Sequence, residues 1–320
     1  MNIRVNDNSA MTPAQREQWL EERRKGIGSS DAAAIIGLDP YKSPVQVLFD
    51  KWNAMPEKEM TEAMRFGIEA EQYVADRFTE ATGKETITFV NSISANPAYP
   101  FALASIDRFI PAEQTFVEIK TTSAWNVGKF KDGKYPANYY VQCVHQMAVL
   151  DVPYCYLAVY IPGVEFKWFK IDRDMEEEQA LMQTEKDFWE NYVEKKVVPE
   201  DLSHEKSFDA IKKVFFDEQE GSIQLVDSKK WLDKLLVLQA EKKQLEAEID
   251  ECKAHIAIEM QGYEKAYTDN GSVSFSVRST KSLIKDRVLQ KYPKILDDEE
   301  VWKESETRAL LAKERKPKSD

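Results

Sequence analysis

Between Phe101 and Thr122 the sequence reads FALASIDRFIPAEQTFVEIKTT, two alternating runs on either side of a four-residue connection, Pro111 to Gln114. Alternation and β-branched content predict strands over 101–110 and 115–122, and the connection has an ordinary hairpin length. If Ile110 pairs with Thr115, Asp107 falls opposite Glu118. Opposed side chains on paired strands share a face with Cβ atoms about 4.5 to 5.5 Å apart, near enough for two carboxylates to hold one hard cation. Lys120 points to the same face as Glu118, while Val117 and Ile119 point to the other, towards the core. The competing reading is the solvated polar face of an ordinary antiparallel sheet, and the spacing alone does not choose between the two.

Around this hairpin, helical and strand patterns alternate as in an α/β or α+β domain, and the chain divides near residue 200. The first part, 1–200, opens with a helix from Pro13 to Lys25, ended by Gly26-Ile27-Gly28. Short helices follow at DAAAII, closed by Gly37, and at 43–52 with Pro44 in the first turn. A longer helix runs from Thr61 to Ala81 and stops at Gly83. A strand is expected at 86–90, then the hairpin, a helix over 138–150, a strand over 154–161 and a closing helix over 174–196. The second part, 201–320, is mostly helical and highly charged. Its apolar stripe Leu235, Leu238, Lys242, Leu245, Ile249, Cys252, Ile256 predicts a long helix, read as packing within the same chain in preference to an intermolecular coiled coil. A hairpin turning at Asn270-Gly271 and a last, solvent-exposed helix complete it.

Composition narrows the function classes. Three cysteines, Cys143, Cys155 and Cys252, lack CxxC spacing and cannot supply four thiolates, which argues against a structural zinc, a disulfide framework or a four-cysteine cluster. All three are expected to be buried or inert thiols. No apolar run is long enough for a bilayer, and the N-terminus lacks the apolar core of a signal peptide, so a cytoplasmic protein is expected. A net charge of −12 opposes tight non-specific DNA binding. Metal-binding carboxylates contribute to that charge, and local basic patches exist at Arg23-Arg24-Lys25 and at Lys313, Arg315, Lys316 and Lys318.

Three further groups of residues accompany the hairpin. In the helix TEAMRFGIEAEQYVADRF the apolar stripe Met64, Ile68, Val74, Ala75, Phe78 includes Glu71, whereas Glu69 falls on the outer face. A carboxylate turned inwards needs a cation or donors, which leaves an internal salt bridge and a metal-site role both open. Gly67, one turn earlier, permits close approach of another backbone. The segment Arg23 to Asp31 combines a guanidinium, glycines and Ser30 ahead of a short helix, an arrangement suited to a phosphate and equally to a plain helix cap. Finally, Gln142 and Gln146 lie one turn apart on the face of Tyr139 in NYYVQCVHQMAVL, where their amides require partners. His145 lies off that face and reads as structural.

Taken together, WLEER at 19–23, GIGSSDAAAIIGLDPYKSP, RFGIEAE ending at Glu71, ASID ending at Asp107, VEIK at 117–120 and YYVQCVHQM at 139–147 resemble the YqaJ-type viral recombinases. These are relatives of phage lambda exonuclease within the PD-(D/E)XK nuclease superfamily, and the resemblance covers roughly residues 14 to 195. It implies a restriction-endonuclease-like core with a mixed central sheet flanked by helices. By the same resemblance Asp107 and Glu118, with the Ile119 carbonyl, bind Mg2+, for which Mn2+ can substitute, and Lys120 positions or activates the attacking water. Glu71 supports a second metal, Gln142 orders the site, and Arg23 with Ser30 holds the terminal phosphate of a DNA end.

The expected activity is therefore hydrolysis of one strand of linear double-stranded DNA from the 5′ end. The product is a 3′ overhang for a single-strand annealing protein, and the enzyme is expected to be a homo-oligomeric ring in the bacterial host cytoplasm. Composition and spacing by themselves show neither polarity nor a ring. The alternatives are a structure- or sequence-specific endonuclease on the same fold and a non-catalytic nucleic-acid-binding assembly protein. The resemblance assigns no role to residues 201–320.

Overall fold

The computed structural model describes residues 13–56, 60–88, 93–217, 220–282, 284–302 and 309–312. The chain forms two compact units, one ending at Asp217 and the other following it.

In the first unit, α1 (Pro13–Arg24) leads into β1 (Ile27–Gly28), α2 (Ser29–Ile35), α3 (Pro44–Lys51) and α4 (Glu62–Thr82). Ser43 and Thr61 cap α3 and α4 by accepting from the N–H groups of Gln46 and Met64, and Gly83 ends α4 in the left-handed conformation at φ 71°. Next come β2 (Ser94–Asn96), β3 (Tyr99–Ala104), β4 (Arg108–Ile110) and β5 (Thr115–Thr121), then α5 (Ala137–Leu150), β6 (Tyr154–Ile161), β7 (Glu165–Asp172) and α6 (Met175–Phe188). Residues Trp189–Val193 continue α6 as a π-helical turn, and α7 (Ser207–Val214) packs Ala210 against Val45 and Phe49 of α3.

Two sheets result, in the orders β1-β3-β2 and β4-β5-β6-β7, each mixing parallel and antiparallel neighbours. The fold is thus the mixed α/β class that the sequence implies. The second sheet has a helix on each face. Val117 and Ile119 of β5 with Tyr156 and Ala158 of β6 meet Val74, Ala75 and Phe78 of α4. Leu157 and Val159 turn the other way, into the core shared with Val144 and Met147 of α5. Phe78 is fully buried, an anchor that contributes roughly 2 to 3 kcal/mol.

Several expectations need correction. The run 101–110 is not one strand: β3 belongs to one sheet and β4 to the other, and the chain changes sheets across Ser105 to Asp107. Side chains there replace ladder partners, since Gln146 donates to the Ser105 carbonyl at 2.8 Å and Asp107 Oδ2 accepts from the Ile119 N–H at 2.6 Å. The strand expected at 86–90 amounts to one bridge, Ile87 with Phe109, and residues 89–90 lie outside the described residues. Strands β1, β2 and β7 were not expected, and the closing helix gives up its α-helical form at Phe188. In α4 the inward stripe is Ala70, Val74, Ala75 and Phe78, whereas Met64 and Ile68 are exposed because the first turns of the helix have no core beneath them.

The second unit holds α8 (Lys229–Met260), β8 (Lys265–Thr268), β9 (Gly271–Ser274) and α9 (Lys285–Lys291). Leu238, Leu245, Ile249 and Ile256 of α8 are exposed, so the described residues of this unit do not bury the stripe. Cys252 is exposed too, unlike buried Cys143 and Cys155. The hairpin pairs Thr268 with Gly271, which places its turn at Asp269-Asn270, one residue earlier than expected. The basic patch from Lys313 onwards lies outside the described residues. No helix among the described residues is long and apolar enough to cross a membrane.

Candidate active site

Strand β5 supplies the central residues. Ile110 pairs with Thr115 as the sequence implies, and the ladder runs back through Arg108 opposite Val117. Glu118 and Lys120 point away from α4 and towards α5, because they alternate with Val117 and Ile119. Asp107 lies one residue beyond the end of the ladder, at the change of sheet, and its carboxylate is held by the Ile119 N–H instead of by strand pairing.

Glu118 is only 2% exposed, and its donors come from helix α5 and from Lys120 of its own strand. Oε1 accepts from Lys120 Nζ at 2.7 Å and from Gln142 Nε2 at 2.6 Å, while Oε2 accepts from Gln146 Nε2 at 2.6 Å. Gln142 Oε1 in turn accepts from Lys120 Nζ at 2.8 Å. A carboxylate offers about four acceptor positions and an ammonium three hydrogens. One position on Glu118 Oε2 and one hydrogen on Lys120 are left for a ligand, and Asp107 Oδ1 accepts no hydrogen bond among the described residues.

Asp107, Glu118, Lys120 and Gln142 line a cavity of about 250 Å³ together with Arg23, Gly28, Ser29, Ser30, Ser105 and Ile119. At its other side the Arg23 guanidinium stacks over Trp19, 4.6 Å from the ring centroid, and donates to Ser30 Oγ at 3.3 Å. The turn carrying Ser29 and Ser30 is fixed by Asp31, whose Oδ2 accepts from the Gly28 N–H at 3.2 Å and which pairs with Lys42 at 2.6 Å and Lys51 at 2.7 Å. Burial alone raises the Asp31 pKa, but the two ammonium groups more than reverse this and hold the carboxyl well below its usual range.

The electrostatics of Asp107 run the other way. Burial first, and then the charge of Glu118, pushes Asp107 well above the usual carboxylate range despite Lys120; Glu71 adds to the rise and the Ile119 N–H opposes it. Lys120 is drawn down by burial, yet Glu118 and Asp107 overcome this and raise it, so it stays an ammonium. A pair of hard oxygen donors with surplus negative charge and open acceptor positions fits a divalent cation such as Mg2+. Among the described residues no cluster of three or more His, Cys, Asp or Glu side chains is arranged to hold a metal.

Comparison with known proteins identifies the family. A model of the YqaJ-like viral recombinase domain matches residues 18–153, a span that includes every residue named in the cavity. The uncharacterized protein YqaJ of Bacillus subtilis (strain 168) is 31% identical over 312 residues, covering 96% of both chains. The chain belongs to the YqaJ-like viral recombinase family. Among solved structures, an alkaline exonuclease from Laribacter hongkongensis is 20% identical, with a TM-score of 0.48 over 56% of this chain and 93% of that one. A phage-related exonuclease from Haemophilus somnus 129PT is 13% identical, with a TM-score of 0.42 over 54% and 96%.

In this YqaJ-like recombinase the structure brings together Asp107, Glu118, Ile119, Lys120, Gln142, Arg23 and Ser30 in one cavity. Glu71 is not among the lining residues. It is half-buried on α4, across the sheet from Glu118, and forms a salt bridge with Arg108 Nη1, which also donates to the Asp107 carbonyl at 2.7 Å. Gln146 holds Glu118 as directly as Gln142 does, and its place one helical turn away was the signal available in the sequence. Lys42 and Lys51 carried no signal, because their partner Asp31 reads as an ordinary helix-start residue. His145 is fully buried between Glu185 and the Leu103 carbonyl, a structural position.

Proposed function

We propose that this recombinase-family protein is a divalent-metal-dependent DNA exonuclease, with Mg2+ as the working ion and Mn2+ as a substitute. The reading rests on the convergence of Asp107, Glu118 and Lys120 with Arg23 and Ser30 on one cavity. Asp107, Glu118 and the Ile119 carbonyl would hold the ion, and Glu71 would support a second one or, through Arg108, the strand end that carries Asp107. When bound, such an ion lowers the pKa of a coordinated water and neutralises charge building on the phosphoryl oxygens.

The protein's own groups account for the remainder. Lys120, which donates to Glu118 and Gln142 and has one hydrogen left, positions or activates the attacking water and supplies a positive charge beside the scissile phosphate. Gln142 and Gln146 fix Glu118, so its free lone pair keeps one direction. Arg23 and Ser30 grip the terminal phosphate of a DNA end, the guanidinium held flat by Trp19. A grip on the end places the first phosphodiester over the carboxylates, which favours digestion from the 5′ terminus and a 3′ overhang as product. Such an overhang suits a single-strand annealing protein as partner, and processive digestion suits a homo-oligomeric ring, here in the cytoplasm of the bacterial host. Folding into a nuclease body up to about residue 200 and an extension over 201–320 belongs to the same reading.

Linear duplex labelled separately at each 5′ and 3′ end, alongside closed circular duplex, tests it with and without Mg2+. Release of 5′ label first, with circles left intact, is expected. Nicked or linearised circles would favour the endonuclease reading.

A further inference from the structure

We propose that the connection following β5, a 3-10 helix over Ala124–Phe130 and the loop after it, is a docking surface for single-stranded DNA, with Trp125 stacking on an unpaired nucleobase and Lys129, Lys131 and Lys134 meeting the phosphates. Trp125 is 96% exposed, the most exposed tryptophan among the described residues. An indole so displayed on a mobile tip would be unremarked, but this loop is tied down at both ends. Asn126 donates through Nδ2 to Thr122 Oγ1 at 2.9 Å and through its backbone to the Ser123 carbonyl at 3.0 Å. Phe130 is 1% exposed, and its carbonyl accepts from Lys167 Nζ at 2.7 Å.

The loop is also coupled to the active site. Phe130 stacks on Tyr139 with ring centroids 6.3 Å apart, and Lys120 Nζ lies 5.4 Å from the centroid of that same Tyr139 ring. Trp125 is five residues beyond Lys120. That separation spans at most about 18 Å of extended chain, on the order of five nucleotide steps at about 3.4 Å each.

Charge selects the occupant. In a chain with a net charge of −12, residues 123–135 carry three lysines and one acidic residue, Asp132. All three lysines are exposed, and none forms an ion pair among the described residues. A rigid aromatic platform flanked by unpaired cations matches the base faces and phosphates of a single strand, whereas a duplex keeps its base faces covered.

This inference rests on the DNA-processing reading above, and the test separates the two. The full chain in Ca2+ buffer is titrated against fluorescein-labelled oligothymidine by anisotropy, and the same proteins digest linear duplex in Mg2+. Trp125→Ala is expected to weaken oligothymidine binding roughly tenfold, the effect of one base stack, while Trp125→Phe stays within about threefold and both variants keep the wild-type melting temperature. Lys129→Glu with Lys131→Glu should lower affinity and flatten its salt dependence. If wild type binds oligothymidine in this pattern without cleaving duplex, the nuclease reading fails and the docking surface stands. If wild type cleaves and Trp125→Ala binds and cleaves as wild type does, the docking surface is overturned and the exposed indole serves a protein partner or nothing.

Discussion

Gln146 Nε2 lies 2.6 Å from Glu118 Oε2 and 2.8 Å from the Ser105 carbonyl, so one buried amide ties the central carboxylate to the point where the chain changes sheets. Both amide hydrogens are used and Oε1 has no partner. The reverse orientation would set that oxygen against two acceptors, which fixes the amide as it stands.

Gln146→Leu should therefore free Glu118 to rotate. A hydrogen bond to a charged group contributes about 1.5 to 3 kcal/mol, so the Mg2+ concentration for half-maximal nuclease activity should rise tenfold or more. An unchanged metal requirement in a folded variant would show that Gln146 only fills space.

Glu71→Gln should lower the turnover rate about tenfold, and Glu69→Gln should not, because Glu69 is exposed and Glu71 reaches Asp107 through Arg108. Arg108→Met separates two explanations. If Glu71 acts through Arg108, the two variants lose similar activity. If Glu71 binds metal directly, Glu71→Gln alone raises the metal requirement. Equal rates for Glu71→Gln and Glu69→Gln would contradict both.

A pH effect on stability is expected at His145. Its Nδ1 faces Glu185 at 2.9 Å and its Nε2 faces the Leu103 carbonyl at 3.0 Å, two acceptors that only a doubly protonated ring satisfies. Burial lowers its pKa, but the charge and hydrogen bond of Glu185 raise it further, for a net upward shift. The folded state thus holds the proton more tightly than the unfolded state. Its stabilisation is full below about pH 6.5, the ordinary histidine value, and is lost as pH rises through the raised folded value. The stability gap between wild type and His145→Gln, from urea unfolding at a series of pH values, should narrow as pH increases. A gap that widens with pH would mean that the buried ring is neutral.

Arg23→Ala should slow digestion of 5′-phosphorylated ends and narrow the preference for phosphate over hydroxyl ends about tenfold, the effect of a charged hydrogen bond. Of the two acidic neighbours that could instead pair with Arg23, Glu21 and Glu22, the second is engaged by Lys25. A preference unchanged in the variant would remove Arg23 from the phosphate site.

Local chemistry made much of this legible in the sequence. Alternation and loop length determine the Ile110–Thr115 register, and with it the faces of Glu118 and Lys120. Long-range substitution for backbone partners was not legible: nothing in ALASIDRF shows that Gln146 and the Ile119 N–H will take over at Ser105 and Asp107 and break the strand. The phase of α4 misled for a related reason. Met64 and Ile68 complete an apolar stripe by spacing, but the core ends near Ala70, and periodicity does not report how far a neighbouring sheet extends. In α8 the spacing gives the helix, but Leu238, Leu245, Ile249 and Ile256 are exposed, and periodicity does not report what an apolar stripe packs against.

Central to the account is the claim that Asp107, Glu118 and Lys120 form a metal-dependent phosphodiesterase site, with Lys120 as its fixed positive charge. Acid-soluble nucleotide release from linear duplex, by wild type and by Lys120→Ala, in Mg2+ and after chelation, tests this most directly. The account predicts release by wild type in Mg2+ only, and loss of at least about a hundredfold in Lys120→Ala, the scale for one electrostatic donor, with Mg2+-dependent DNA binding retained. Near wild-type release by Lys120→Ala, or release by wild type after chelation, would contradict it.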